Sequence, residues 1–289
     1  MAARRNTGRA ASVLNHAMKP VIKWLGGKTR LLPEIKTLLP KGFNRLIEPM
    51  AGGAALFFDL AAEDAVIGDS NPYLINFYAC LAEHPSMLVD VLDGFVRGHC
   101  EEFFYSTRDA LNAVAPPVGP NVNVAAQFYY LNRACFNGLW RVNRHDKINT
   151  PWGKHATFSV DRAALTAASK YLAGAQDIVC CDYATSIADY ADEGDFIYLD
   201  PPYAPVDGSG FAAYTKDRID HAQLADTAGR CVDGGLFVMV SNSDTPTVRA
   251  LYADPKWSLH GVECSRPINA NGAGRGKVAE LIITGGYRP

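Results

Sequence analysis

The sequence predicts an α/β fold built on an open, mainly parallel sheet, with a largely helical segment inserted between its early and late strands. Three observations support this. Short β-branched or apolar runs alternate with helical patterns near both ends of the chain. Those runs end at polar or glycine-bearing turns, where open sheets gather ligand groups. The alternation then lapses between residues 83 and 170. The strand-like runs are Asn44 to Glu48, Ala65 to Asp69, Asp177 to Cys181, Asp195 to Asp200, Leu236 to Ser241 and Val278 to Thr284. Helical patterns fall at Lys28 to Leu39, Ala54 to Ala62, Pro72 to Glu83, His221 to Cys231 and Pro246 to Tyr252. The central segment carries amphipathic helical patterns and a Pro/Gly-rich joint at Ala115 to Pro120, but few strand-like runs. The expected organisation is a flexible tail at 1–18, a sheet-bearing domain from 19–82 and 171–289, and an inserted subdomain at 83–170.

A chain of 289 residues with 48% hydrophobic and 20% charged residues has the composition of a soluble globular protein. No apolar run approaches the ~18 residues of a membrane span. Seven cysteines, none in a C-x-x-C pair, point to a reducing, cytoplasmic setting without a metal. Net charge is only −2, so charge has to be read locally. Arg133, Arg141, Arg144, Lys147 and Lys154 face the single acid Asp146 across one segment, with Phe136, Trp140 and Trp152 interleaved. That mixture suits a nucleic-acid surface, and it also suits a solvated basic loop.

The first strand runs into Glu48-Pro49-Met50-Ala51-Gly52-Gly53-Ala54 and then a helix. Glycines there permit a sharp turn and close approach of a ligand to the backbone. The next strand ends in Gly68-Asp69-Ser70-Asn71, which places an acid where it could accept both hydroxyls of a ribose, or cap the following helix. G-x-G-x-x-G is absent, so no pyrophosphate nest is evident, which disfavours the rival reading of a dinucleotide-dependent oxidoreductase.

The most informative stretch is Asp200-Pro201-Pro202-Tyr203, at the end of the run Asp195 to Leu199. Two prolines remove two backbone donors and restrict φ, so the Pro201 carbonyl can serve as an acceptor. A planar ligand with an NH₂ group would fit: Asp200 takes one N–H, the Pro201 carbonyl takes the other, and Tyr203 stacks on the ring. Adenine N6 is such a group. The carboxylate would stabilise positive charge arriving on that nitrogen, with no need of a metal.

D-P-P-Y resembles the signature of amino-methyltransferases, and the chain from about Val21 to Thr284 resembles the Dam-type DNA adenine methyltransferases. The likeness also rests on Lys23-Trp24-Leu25-Gly26-Gly27-Lys28, on Leu131-Asn132-Arg133 through Asn143 with Asn149 to Gly153, on Ser241 to Thr245, and on Asn271-Gly272 to Leu281. The order of cofactor loop, recognition insertion and catalytic motif is the one the family terms alpha. The resemblance implies a Rossmann-like fold that uses S-adenosylmethionine and acts on adenine N6 of double-stranded DNA, in the palindrome GATC. It implies cofactor contacts from Trp24, Lys28, Asp69 and Asp200 with the loop residues Glu48, Gly52 and Gly53, and places Asp182 and Tyr183 near the cofactor's adenine. It implies DNA contacts from Lys23, Arg133, Phe136, Asn137, Leu139, Arg141, Arg144, Lys147, Pro151 and Arg275. Phe136 would be the apolar wedge that fills the gap left by a flipped base. Arg141 would read guanine, and Arg144, Lys147 and Arg275 would hold phosphates.

The chain departs from the family pattern at Met50, Ala54 and Phe136, where the family has Phe, Gly and Tyr. Among other amino-methyltransferases, those acting on cytosine N4 more often carry Ser, and those acting on protein amides Asn, where this chain has Asp200. RNA is a further alternative substrate, and an idle DNA-binding module has no use for an amino-group clamp. A cognate restriction endonuclease is an open partner: the sequence points neither to one nor away from it.

Overall fold

The computed structural model describes residues 18–205, 219–265 and 277–289. Among the described residues, seven strands form one sheet: β1 (Leu46–Glu48), β2 (Val66–Asp69), β3 (Asp177–Cys180), β4 (Phe196–Leu199), β5 (Phe237–Ser243), β6 (Trp257–Ser265) and β7 (Lys277–Gly285). Their spatial order is β3-β2-β1-β4-β5-β7-β6. The first five run parallel, and β7 is antiparallel to both β5 and β6. This is a doubly wound, Rossmann-like sheet whose order reverses between β1 and β4, the place where such sheets open a crevice at their carboxyl ends.

Strand residues alternate between two cores, as the pleat requires. Leu46, Ile67, Phe196, Tyr198, Met239 and Ile282 belong to one. Ile47, Val66, Ile197, Leu199, Val238, Val240, Leu281 and Ile283 belong to the other. On the first face lie α1 (Leu32–Thr37), α2 (Ala55–Leu60) and α3 (Pro72–Glu83), together with α4 (Pro85–Gly98), α5 (Glu101–Ala113), α6 (Val122–Ala134) and α7 (Arg162–Ala173). On the second lie α8 (Tyr183–Tyr190), α9 (His221–Asp233) and α10 (Pro246–Leu251). Phe77 of α3 stacks on Tyr129 of α6 at 5.5 Å between ring centroids. Helices α4 to α7 therefore share a core with the sheet. No helix among the described residues is long and apolar enough to cross a membrane.

Several helix ends fall where the sequence places them because caps mark them. Asn71 accepts from the amides of Tyr73 and Leu74 with Pro72 at the first position of α3, and Asp220 does the same for Ala222 and Gln223 of α9. Three expectations need correction. Helix α1 begins at Leu32, not Lys28, because Pro33 belongs in a first turn, and Lys28 lies in the preceding turn instead. Strand β6 was not expected: among the described residues it is an edge strand paired only with β7, with Gly261 and polar residues among its apolar ones. Helix α8, eight residues long, was also not expected, and Asp182 is its N-cap.

At the opposite end of the strands from the crevice, Arg45 and Asp195 precede β1 and β4. The Arg45 guanidinium donates to both oxygens of Asp195, at 3.2 and 2.5 Å, and to the Tyr190 carbonyl at 2.9 Å. Asp195 is 1% exposed. Arg45→Met should therefore cost about 3 kcal/mol, because it leaves a buried charge without its counterion. Urea unfolding checks this, and a midpoint matching the wild type would show that the pair holds nothing.

Candidate active site

The crevice collects side chains from five strand ends. Glu48 ends β1, Asp69 ends β2, Asp200 follows β4, and Ser241 to Ser243 close β5. Because β7 runs antiparallel, Glu280 near its start lies opposite Ser243 and joins the same rim.

Asp200 is the centre. Its Oδ1 accepts from Lys28 Nζ at 2.6 Å and from Ser241 Oγ at 2.6 Å. The two side chains of the ion pair are only 9% and 18% exposed. Burial pushes the Asp200 carboxyl above its ordinary value, while the Lys28 ammonium and the Ser241 hydroxyl pull it back. Lys28 also donates to the Gly26 carbonyl at 2.6 Å and lies over the Tyr203 ring, 4.5 Å from its centroid. The Tyr203 hydroxyl donates to Glu280 at 2.9 Å, which fixes the ring's direction. Burial, then the charges of Asp200 and Glu280, push the Tyr203 phenol far up, so it stays a neutral donor. Beyond Tyr203, the Ala204 amide donates to Asn242 Oδ1 at 3.0 Å and Ser243 Oγ donates to the Ala204 carbonyl at 2.7 Å. Strand β5 thus holds the tetrapeptide at both ends.

The glycine loop is built just as tightly. Asp69 accepts from the Gly52 amide at 3.0 Å and the Asn71 amide at 2.9 Å, one on each oxygen. Tyr78 donates to the Gly52 carbonyl at 2.7 Å. Gly52 has φ +48°, and a Cβ there would come within 2.6 Å of Trp24 Cδ1, so only glycine fits against that ring. Ala54 stands in the left-handed region at φ 51°, where the related pattern has glycine, at a cost of about 1 kcal/mol. Glu48 is 2% exposed, and its carboxylate accepts from the Phe57 amide at 3.1 Å. It braces the loop from within the protein.

The basic-aromatic segment forms an irregular loop closed by two isolated bridges, Cys135 to Trp152 and Val142 to Ile148. Phe136 opens a short 3₁₀ turn and is 54% exposed. Asn137, Pro151, Arg144 and Lys147 are exposed too, while Arg133, Leu139 and Arg141 are half-buried. Arg141 Nε donates to Asn149 Oδ1 at 2.8 Å. Lys147 donates to the Asn112 carbonyl, which ties the loop to α5. Lys23 packs its stem on Gly138. Asp182 caps α8 through the amides of Ala184 and Thr185, and Tyr183 beside it is half-buried. Arg275 lies outside the described residues.

Ser241, Glu280 and Asn132 lie within the sequence motifs, where the residues alone assign them no role. Their polar character inside otherwise apolar strand and helix patterns was the available signal. Ser241 and Asn132 are fully buried and Glu280 is 7% exposed.

This sheet, with an Asp-Pro-Pro-Tyr corner beside its switch point, defines an enzyme of the Rossmann-like methyltransferase class. A family model described as D12 class N6 adenine-specific DNA methyltransferase matches residues 24–267. A type II methyltransferase of Lactococcus lactis subsp. cremoris is 36% identical over 92% of this chain and 95% of its own length. The DNA adenine methylase of Escherichia coli is 34% identical over 93% and 95%, and that of Haemophilus influenzae 32% identical over 93% and 94%. The chain belongs to the D12 class of N6 adenine-specific DNA methyltransferases.

Burial, helped by the Asp200 charge and opposed by the Phe57 amide, pushes the Glu48 carboxyl up to about 8 from an ordinary value of 4.5. Between those values the folded protein holds a proton that the unfolded chain has released, so this group lowers stability as pH rises through the window. Glu48→Gln keeps an acceptor for Phe57 and removes the titration. Its melting temperature should gain on the wild type between pH 5 and pH 8.5, and parallel curves would refute the assignment.

Proposed function

We propose that the enzyme transfers a methyl group from S-adenosylmethionine to N6 of an adenine flipped out of duplex DNA, within the sequence GATC. The observation that carries this reading is the Asp200 carboxylate at the switch point, held by Lys28 and Ser241 through one oxygen and followed by Pro201, Pro202 and Tyr203. Support for the cofactor comes from the donor set. Asp69 spends one lone pair of each oxygen on a backbone amide, which orients the carboxylate and keeps acceptor capacity for ribose hydroxyls. Trp24 lies against Gly52 and Gly53 beside it, and Lys28 offers an ammonium suited to a ligand carboxylate. When bound, the cofactor supplies an electrophilic methyl group on a sulfonium. Asp182 and Tyr183 complete this side of the reading, Asp182 through whatever acceptor capacity capping leaves it.

The remaining steps belong to this chain's own residues. Lys28 and Ser241 both engage Oδ1, so Oδ2 of Asp200 is the oxygen that receives one N–H of the target amine, and the Pro201 carbonyl receives the other. Two acceptors in the plane of the base draw the amine toward a tetrahedral nitrogen with its lone pair directed out of the ring. As positive charge arrives on that nitrogen, Asp200 stabilises it more than it does the neutral amine, which is where the rate is gained. The Tyr203 ring, fixed by Glu280, offers a face for the base. The helical subdomain at 83–170 serves as the target-recognition part. Its exposed Phe136 fills the vacated stack, and Asn137, Leu139 and Pro151 lie beside it. Arg141, whose Nε and one terminal nitrogen are held by Asn149, turns its remaining N–H groups to guanine O6 and N7. Lys23, Arg133, Arg144, Lys147 and Arg275 supply positive charge along the duplex.

Incubation with tritiated S-adenosylmethionine and assorted duplexes, followed by nucleoside analysis, tests the whole reading: label should appear in N6-methyladenine. Asp200→Ala should lower turnover at saturating cofactor and DNA by roughly 10²- to 10³-fold, the usual effect of removing one electrostatic partner of a transition state. Turnover near the wild-type value would remove Asp200 from the chemistry.

The sequence preference is checked with duplexes altered at single positions of GATC, at two salt concentrations. Arg141→Ala should lose ~1 to 3 kcal/mol of discrimination at one base pair. Arg144→Ala should weaken all duplexes alike and reduce the salt slope by ~0.9. A different preferred wild-type sequence would overturn GATC while leaving the chemistry standing.

A further inference from the structure

Residues 18–31 contain no regular secondary structure, so the position of the strap Lys23-Trp24 is set by what it is bonded to. Two unrelated parts of the protein hold it. On one side, Asn132 of α6 makes a two-point contact with the backbone of Lys23: its Oδ1 accepts the Lys23 amide at 3.0 Å and its Nδ2 donates to the Lys23 carbonyl at 2.7 Å. Asn132 is fully buried, and its side chain does there what a neighbouring strand would do. On the other side, the Trp24 ring rests on Gly52, where even a Cβ would come within 2.6 Å of it, and its Cβ faces Gly53. The strap therefore touches the glycine loop through Trp24 and the recognition segment through Lys23.

The contact with the recognition segment is doubled. Gly138 adopts φ +67° under the Lys23 stem, and a Cβ there would lie within 2.8 Å of Lys23 Cβ. Asn132 itself stands four residues before Phe136, at the end of the helix that launches the loop. The aromatic ring of Trp24 also lies 6.4 Å from Phe128, which in turn packs on Trp140 at 4.6 Å between centroids. A close-packed path of this kind cannot shift at one end without repacking along its length.

We propose that Asn132 is a positioning residue that couples occupancy of the glycine loop to the placement of the recognition segment. This rests on the reading that the loop takes S-adenosylmethionine and that residues 136–152 engage DNA. A ligand that presses on Gly52 and Gly53 presses on Trp24; the strap moves as one piece with the end of α6, and the segment from Phe136 to Trp140 moves with it. Linkage then requires the converse: the correct DNA sequence, relative to a scrambled one, strengthens cofactor binding by the same factor by which cofactor sharpens DNA selection. The Asn132 side chain makes that exchange because both of its hydrogen bonds go to the strap backbone, where no change of side chain in the strap can replace them.

The test uses the whole chain and S-adenosylhomocysteine as the probe. Dissociation constants are measured for a duplex that the enzyme methylates and for a scrambled duplex, each with and without the probe. In the wild type, the probe should raise the ratio of the two constants by roughly tenfold, within the usual range of coupling. In Asn132→Asp, which keeps the acceptor and replaces the donor by a charge facing the Lys23 carbonyl, the probe should bind within about twofold of the wild type by calorimetry, yet leave the ratio unchanged. Asn132→Ala should behave likewise. A merely structural role would lower the melting temperature and leave the probe's effect on the ratio intact, and that result overturns the proposal. So does a wild-type ratio that ignores the probe. If neither variant folds, hydrogen exchange on the wild type decides: the probe should protect amides of residues 21–27 and 132–140 together with the loop at 48–54, and protection confined to the loop refutes the coupling. Failure of the probe to bind at all would instead sink the reading of the glycine loop.

Discussion

A buried carboxylate needs close donors, and most of the construction around the switch point supplies them to Asp200. Removing a carboxylate from water costs several kcal/mol unless close donors offset it. Asp200 finds two such donors in Lys28 and Ser241. They come from opposite ends of the chain and meet only because β4 and β5 are neighbours and the N-terminal strap crosses the carboxyl ends of the strands. Lys28 is itself fixed, by the turn that its carbonyl closes with the Leu31 amide and by its bond to the Gly26 carbonyl. One ion pair thereby ties the strap, the tetrapeptide and β5 into a single constellation, and the hydrogen bond from Tyr203 to Glu280 brings in β7.

Aromatic packing explains why the helical insertion is fused to the sheet instead of standing apart. Phe77, Phe128 and Tyr129 join α3 and α6 in one aromatic cluster, and Trp24 lies between that cluster and the glycine loop. On the proposed function, a target held by the insertion would have to meet a reacting group on the sheet within fractions of an ångström. Side chains packed at crystalline density transmit such a constraint, whereas an exposed linker would not.

Stability is conceded at this end of the sheet. Ala54 keeps a left-handed backbone, and Glu48 is buried with a perturbed carboxyl beneath the loop. The other end has the reverse character: Arg45 and Asp195 meet in a bidentate pair with backbone support from Asp192 and Tyr190. Local strain at functional positions persists where the surrounding structure over-determines it. Here the rigid base of the strands and the aromatic cluster do so.

Features that depend on a few adjacent residues were legible in the sequence. Asn71-Pro72 and Asp220 announced the starts of α3 and α9, apolar runs announced six of the seven strands of the described sheet, and Asp200-Pro201-Pro202-Tyr203 announced a polar corner at the end of β4. The helical period outweighs Pro33 at the start of α1, and α8 has only eight residues in which to show a period. Strand β6 has a diluted apolar pattern because an edge strand is bonded on one side only. What the tertiary structure alone decided are the partnerships: Lys28 with Asp200, Tyr203 with Glu280, and Asn132 with the backbone of Lys23. Each spans between 77 and 172 residues of sequence. Residue type and local period specify which face a side chain takes, but which distant side chain it meets follows from strand order and register, and those are properties of the packed chain as a whole.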